Sequence, residues 1–585
     1  MADIEKTSST PPLTSEKKVV ASTVTSVSSE SGDSDFEATR LRLLAQQQEL
    51  TKSSPPVLPI TTLFRRKGPQ PDLDQIATQP SVYDDPEVAK YFQPTAKYEN
   101  LHRFDPSARW TWREELPLIN KLDWKVTLWA FWAFFALDLD RSNISQANTD
   151  NFLEDLGLNT NDFNLGNTVF RLSFLLAELP SQLISKKVGP DRWVPTIMVL
   201  WSIVAASQFF LAGKTSFLVC RALLGMLQGG FIPDVVLYLS YFFKGSELPF
   251  RLALFWTSLR VTDIVAPLFA FGILRLRGTY GYEGWRWLFL IEGLFTLLFG
   301  IWSFFGMSPG PTQTKSWYNK KGWFTEREEV ILVNRILRDD PSKGDMHNRQ
   351  AVDLKQLWKS LTDYDLWPIY IIGLTFLLVA GPPDAYLTLT LRNLGFNTFD
   401  SNLLSIPTQV IGTVTMLGLT YASESWNERS YLGIFGQVWL LPNIIALVAF
   451  PDKVNAWAKY AVLTVLLSYP SAHAIHVGWA SRNSNSVRSR AVSTALYNIF
   501  VQLGGITHAN IYRADDRPLY RRGNKALLGI NIMNIGIYLL TKAYYTWRNK
   551  KREEKWNALS KEEQLKYLDT TTDSGSKRLD FRFAH

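Results

Sequence analysis

The chain has 585 residues and a net charge of +8, with 62 Lys and Arg against 54 Asp and Glu. A single cysteine, Cys220, excludes disulfides and cysteine-based zinc sites within the chain, and its apolar surroundings make it a small packing residue. The basic residues are dispersed among loops rather than gathered into one patch, so no nucleic-acid partner is expected.

Mean hydropathy is near zero, but that average mixes two unlike regions. Residues 1–120 and 548–585 are polar and charged. Between them lie repeated apolar stretches of about twenty residues, the length that crosses a hydrocarbon core of about 30 Å. The richness in Trp and Phe suits a chain with many membrane interfaces. The expected fold is therefore all-α, a polytopic membrane protein with about twelve spanning helices.

In chain order, residues 1–120 are expected to be a cytosolic region, largely disordered. Their run Ser22–Ser34 is rich in Ser with acids toward its end and cannot bury a core. It reads as an inert solubilising tail or a target of phosphorylation. The opening is Ser/Thr/Glu/Lys-rich rather than a signal peptide, and the first apolar span begins near Trp124. Residues 85–120 carry aromatics and acids and are expected as short helices packed under the membrane domain. Spans follow near 124–147, 163–185, 191–212, 215–241, 250–273 and 285–306. A polar loop over 307–366 precedes six more, near 367–390, 402–423, 429–449, 455–477, 487–511 and 524–547. This gives two six-helix halves, 121–306 and 367–547, a cytosolic central loop 307–366 and a cytosolic tail 548–585. Transporters built this way hold substrate between the halves near the midplane.

Lys and Arg in the short loops set the orientation. The loop 148–162 has Asp150, Glu154, Asp155 and Asp162 and no base, which puts it outside. Lys186, Lys187, Arg192, Lys244, Lys315, Lys320, Lys321, Arg482, Arg488, Arg490, Arg548, Lys550, Lys551 and Arg552 all fall on the other side, so both termini are expected in the cytosol. Two loops disagree: Arg275 and Arg277 follow span five, and Arg513, Arg517, Arg521 and Arg522 follow span eleven, partly offset by Asp515 and Asp516.

Charges inside spans are expensive and mark function by default. Span one ends Leu137-Asp138-Leu139-Asp140-Arg141-Ser142-Asn143, and span four begins Cys220-Arg221. With span one running outward and span four inward, Arg141 and Arg221 both lie about six residues, roughly 9 Å, below the outer end. Two guanidiniums at one depth suit a dianion or a bulky monoanion, because Arg presents a planar fork of donors. The alternative is that Asp138 or Asp140 neutralises Arg141 while Arg221 caps carbonyls between helices. Asp138 shares a helix face with Arg141, whereas Asp140 projects elsewhere. Either acid is a candidate for proton coupling or for a fixed ion pair. Gly225 and Gly229, four apart in span four, let a neighbouring helix approach closely. Asp234 is an inner gate or part of a helix-end ion pair. In span five Asp263 is a proton-coupling candidate or the partner of Arg260. Gly381-Pro382-Pro383-Asp384 must break span seven, and Asp384 is placed where such a break lines a cavity. His473 and His476, one turn apart in span ten, are either proton carriers or a hydrogen-bonded pair. Two histidines do not make a metal site, and no metal or cofactor is expected. No phosphate-binding Gly-x-x-x-x-Gly-Lys-Ser/Thr run appears, so the energy source should be an ion gradient.

Most of 120–547 resembles the fungal allantoate permease family, the anion:cation symporters of the major facilitator superfamily. The resemblance rests on Asp140-Arg141-Ser142-Asn143-Ile144, Arg221-x-x-x-Gly225, Gly284-Trp285-Arg286-Trp287, Ile291-Glu292-Gly293 and Ile511-Tyr512-Arg513-Ala514-Asp515-Asp516-Arg517-Pro518. A narrower likeness, to the fungal branch importing inorganic sulfur anions and sulfonates, rests on three further segments. They are Asp340-Pro341-Ser342-Lys343-Gly344-Asp345-Met346, Ser484-Asn485-Ser486-Val487-Arg488-Ser489-Arg490 and Tyr567-Leu568-Asp569-Thr570-Thr571. It implies the major facilitator fold and plasma-membrane cotransport of sulfate, sulfite, thiosulfate or sulfonates with protons. Asn143, in the span-one motif, and Gln228, in span four, join the two arginines and Asp384 as candidate substrate contacts. Gln228 is a departure: many relatives have a titratable glutamate there, so proton coupling must rest on Asp138, Asp140 or another acid, or be absent.

The expectation is thus a monomeric secondary transporter whose partners are a small anion, protons and the bilayer. The alternatives are a carrier of a vitamin or carboxylate anion such as allantoate, nicotinate or pantothenate, or a nutrient receptor that signals without much flux. An enzyme is not expected, since no nucleophile, base and orienting group are placed together.

Overall fold

The computed structural model describes residues 72–96, 98–245, 247–344, 358, 360–451, 455–484, 487–560, 562–564, 567, 575–579 and 581–585. The run Ser22–Ser34 and its expected disorder lie outside them, as do Asp345, Met346, Asn485, Ser486, Asp569 and Thr570. The described residues are helices joined by short turns, with one isolated bridge between Ile76 and Thr111.

Span one is longer than its apolar core. A capping box of Thr111 and Glu114 starts a helix at Trp112–Leu122, which passes through a π turn, Asp123–Thr127, into Leu128–Ala147. Span two, Thr160–Val188, is capped by the Asn159 side chain and stops at Gly189, whose φ of 100° suits glycine. Span three is Pro190–Ser207, with proline at its first position. Span four divides into Lys214–Gln228 and Phe231–Ser240. Spans five and six are Leu248–Ile273 and Gly284–Gly306. In the second half span seven is broken into Trp367–Thr375, Gly381–Ala385 and Leu387–Asn393, as the two prolines require. Span eight is Thr398–Leu403 with Ile406–Trp426, span nine Ser430–Ala449, and span eleven Val487–His508. Span ten, read from sequence near 455–477, is two helices, Ala456–Leu467 and His473–Asn483. Span twelve runs well past its apolar stretch, Arg521–Asn557. Among the described residues, six spans are long and apolar enough to cross a membrane, and two of them, Lys214–Ser240 and Thr398–Ser423, do so across the breaks just given.

Close packing of spans two and four depends on glycine. A Cβ on Gly229 would stand 2.5 Å from the Phe174 carbonyl oxygen, and one on Gly225 would collide with that of Phe170. The loss of side chains there brings the two backbones together and sets Phe170 and Phe174 beside Arg141 and Arg221.

The two faces of the bundle differ. The face carrying the central loop is called here the loop face. There the helix Glu326–Asp339 packs against the short helices of residues 82–103 through Tyr83, Val88, Phe92, Tyr98, Val333 and Leu337, and against the first half through Ile331 and Leu332. On the opposite, far face the halves meet. Thr388 Oγ1 donates to the Ser145 carbonyl at 2.7 Å, and Thr398 Oγ1 to that of Thr149 at 3.0 Å. Asn164 Nδ2 donates to the Tyr512 carbonyl at 2.6 Å. Tyr386, Tyr512 and Tyr520 stack behind them, with Tyr512 and Tyr520 at 4.4 Å between centroids. This conformation is closed at the far face.

The two loops that disagreed on charge each hold one arginine in an ion pair. Arg277 lies 3.0 Å from Asp150 and 3.4 Å from Asp155, and Arg522 lies 2.7 Å from Asp515. Arg275 covers the rings of Phe271 and Phe399.

Candidate substrate-binding site

Helical phase separates the residues at the end of span one. Asp140 and Asn143 are each 1 % exposed and turn into the first half, while Arg141, about 100° further round, projects toward the second half. Arg221 comes from span four and Arg171 from span two. The three guanidiniums line one cavity of about 200 Å³, with Asn167, Phe170 and Phe174 around them and Gln502 of span eleven opposite. Arg141 Nε donates to Gln228 Oε1 at 2.9 Å, and Arg221 Nη2 to Asn167 Oδ1 at 3.1 Å. Arg141 lies 4.9 Å from the Phe174 ring and Arg221 4.4 Å from that of Phe170. Each such contact contributes about 0.5–2 kcal/mol. Arg171 crosses to the other half, with Nη1 donating to Gln502 Oε1 at 3.1 Å and Nη2 3.4 Å from His508 Nε2.

None of the residues lining this cavity is a carboxylate. Arg141 Nη2 and Arg221 Nε are buried and have no hydrogen-bond partner. A buried charge without a counter-charge costs several kcal/mol, and a buried donor left unpaired costs about 1–3 kcal/mol. An oxyanion would offset both terms at once.

A second cavity of about 150 Å³ adjoins the first and shares Arg141, Asn167 and Arg171 with it. Ile144, Phe163, Pro382, Ala385, Tyr386 and Ala509 form most of its remaining wall.

The other residues singled out from sequence fall elsewhere. Gln228 is fully buried and touches the site only through Arg141. Asn143 lines neither cavity and stands beside Glu292. Asp140 packs against Thr296 and Trp201, with Glu292 nearby, all inside the first half. Asp384 lines neither cavity. Instead it belongs to a second charged group between the halves, in which Asp138, Asp263 and Asp384 surround Arg260. Arg260 Nη1 is 3.5 Å from Asp263 and 3.4 Å from Gln409 Oε1. Asp138 also lies within electrostatic reach of Arg141 and so bridges the two groups. His473 and His476 are packed in the second half, each with Nδ1 3.2 Å from the Tyr497 hydroxyl, and His476 Nε2 is 2.7 Å from that of Tyr538. Asp234 is buried against Ser185 of span two. Sequence reasoning missed Arg171 and gave Glu292 only as part of the motif Ile291-Glu292-Gly293, although both are charges within spans and the same rule would have raised them. For Asn167, Phe170 and Gln502 no local signal existed.

An α-helical bundle of two six-helix halves, with a cationic cavity between them, defines a membrane transporter. A family model described as the Major Facilitator Superfamily matches residues 130–507, and the chain belongs to that superfamily. It is 49% identical over 490 residues to an uncharacterized transporter of Saccharomyces cerevisiae, covering 83% of this chain and 90% of that one. It is 25% identical over 449 residues to an MFS-type transporter of Hormonema carpetanum, covering 75% and 87%. Among solved structures, a bacterial homologue of the lysosomal transporter Spinster, in an inward-facing occupied conformation, matches with TM-score 0.54 at 14% identity, over 72% of this chain and 96% of that one. A D-xylose–proton symporter matches equally well, with TM-score 0.54, 14% identity and 72% and 97% coverage. At that identity the likeness concerns the fold alone.

Proposed function

We propose that this chain is a proton-coupled importer of a small anion, with sulfate, sulfite, thiosulfate and sulfonates as the favoured substrates. The observation that carries this reading is the three-arginine cavity with unpartnered donors and no lining carboxylate. The sulfur assignment rests on the resemblance to the sulfur-transporting branch of the allantoate permease family. The carrier acts as a monomer in the plasma membrane, with the loop face in the cytosol. The ion-paired arginines of the two dissenting loops support that orientation. Asp138 is the favoured coupling acid, because it links Arg141 of the substrate cavity to the Arg260 group. Asp140, Asp263, His473 and His476 are the remaining candidates. The second reading, a carrier of a carboxylate or vitamin anion, is favoured by the same arginines, since a guanidinium fork accepts carboxylates as readily.

The test is uptake of labelled sulfate and sulfonate into proteoliposomes of the purified protein. Uptake should rise with an inward proton gradient and fall with a protonophore. Arg141→Lys keeps the charge and loses the fork, so the half-saturation concentration should rise about tenfold or more. Arg141→Ala should abolish uptake while the protein still folds. Binding without uptake would turn the reading to a receptor. Sulfate and sulfonate binding unchanged in Arg141→Ala and Arg221→Ala would remove the arginine site.

A further inference from the structure

The two adjoining cavities differ in chemistry. The first offers guanidinium edges, two of them with unpartnered nitrogens. Beyond the shared Arg141, Asn167 and Arg171, the second is walled mainly by Ile144, Phe163, Pro382, Ala385, the Tyr386 ring and Ala509. Several of its polar groups are committed to the protein. Asn164 donates to the Tyr512 carbonyl at 2.6 Å, and its Oδ1 accepts the Tyr386 hydroxyl at 2.5 Å. Ser142 Oγ donates to the Leu139 carbonyl at 3.2 Å. His508 Nε2 faces Arg171, while His508 Nδ1 is buried without a partner. A hydrated inorganic ion gains little from such a wall, whereas a short hydrocarbon chain gains by leaving water. The volume of about 150 Å³ has room for on the order of five groups the size of a water molecule.

We propose that the second cavity is a tail subsite. The substrate is an organic anion whose oxyanion head lies among Arg141, Arg171 and Arg221 and whose tail, about two to four carbons long, lies against Ala385, Tyr386 and Ala509. This rests on the anion reading above and narrows its substrates, inorganic and organic, to the organic ones. Both compartments share Arg141 and Arg171, so a head held there points its substituent straight into the apolar space. Because Pro382, Ala385, Tyr386 and Ala509 belong to the second half and Ile144 and Phe163 to the first, the tail also touches both halves, as a carried substrate must.

Direct calorimetric titration of the purified full-length chain tests this. The probes are inorganic sulfate, the straight-chain alkanesulfonates from methane- to octanesulfonate, and the matching carboxylates. Sulfonates keep one charge at all working pH values, so chain length is their main variable. Affinity should increase about fourfold per added methylene up to about four carbons and fall again for octanesulfonate. Ala509→Leu and, separately, Ala385→Leu fill the subsite, and each should bring the ratio of butane- to methanesulfonate affinity close to one. Equal affinity along the series in the parent protein would overturn the subsite, even if neither variant folds. So would a chain-length gain that survives in both variants. If the carboxylates show the gain and no sulfonate binds, the tail subsite stands and the sulfur reading above falls. If the parent binds none of the probes, the anion reading falls and this inference falls with it.

Discussion

Arg171 reaches across the interface between the halves because residue 505 has no side chain. A Cβ there would collide with Arg171 Nη1. The guanidinium therefore serves two partners, the cavity on one side and Gln502 with His508 on the other. A hydrogen bond to a charged group contributes about 1.5–3 kcal/mol, so Arg171→Ala should raise the half-saturation concentration of uptake roughly 10- to 100-fold. Gly505→Ala makes the sharper test. It should favour the helix by up to about 1 kcal/mol while pushing the guanidinium off its place, so affinity falls although the melting temperature does not. Unchanged affinity in both variants would exclude Arg171 from the site. At this scale the sequence exposed Arg141 and Arg221, since a charge in an apolar run at a countable depth is legible without a structure. It could not expose which neighbours they meet. Asn143, Gln228 and Asp384 were singled out beside them, yet a turn of about 100° per residue carries Asn143 away from the cavity, and the break in span seven carries Asp384 to Arg260.

Among the elements, the loop-face layer has the densest buried charge. Glu115, in the helix leading into span one, lies 2.8 Å from Lys244 and 3.1 Å from Arg335, and accepts from Trp110 Nε1 at 2.7 Å. Arg335 is also paired with Glu247. Asp123 is held by Arg251 Nε and Nη2, both at 3.0 Å. These pairs tie the leading helix of span one, the junction between spans four and five, and the helix Glu326–Asp339 into one body. Burial alone would push the Glu115 carboxyl up, but Lys244 and Arg335 outweigh it and hold it below the ordinary 4.5. The stabilisation from a depressed carboxylate is present above its unfolded value and is lost as pH falls through the folded one. The parent should therefore lose thermal stability as pH drops below about 4.5. Glu115→Gln, which leaves Lys244 without its anion, should cost about 3–5 kcal/mol near neutral pH and flatten the acid limb attributable to this residue. A melting curve in detergent at several pH values reads both effects; an unaltered melting temperature would mean that the layer does not brace the first half. Sequence reading anticipated short helices beneath the membrane domain, because aromatics and acids cluster there. The pairing partners lie 88 or more residues apart and leave no local trace. Span ten is different: its break at residues 468–472 carries Ser468, Pro470 and Ser471, a local signal that was legible in the sequence.

For the whole molecule, the decisive feature is that the halves are joined at the far face. The bonds from Thr388 to Ser145, Thr398 to Thr149 and Asn164 to Tyr512 contribute about 1 kcal/mol each net of solvent. The tyrosine stack adds to them. Access from the far face requires breaking this set, and contacts formed near the loop face must offset the loss within a few kcal/mol if both states are to be populated. A covalent link across the closure should therefore stop the cycle without destroying the cavity. Ser145→Cys with Thr388→Cys, in a Cys220→Ala background, places two thiols at a contact where side chain and backbone are 2.7 Å apart. A short bifunctional thiol reagent should abolish uptake by the double variant and by neither single one. Cleaving the reagent should restore uptake. Calorimetric binding should persist in the linked protein, because the arginine cavity is formed in this closed conformation. Continued uptake by fully linked protein would show that transport does not require the far-face closure to open.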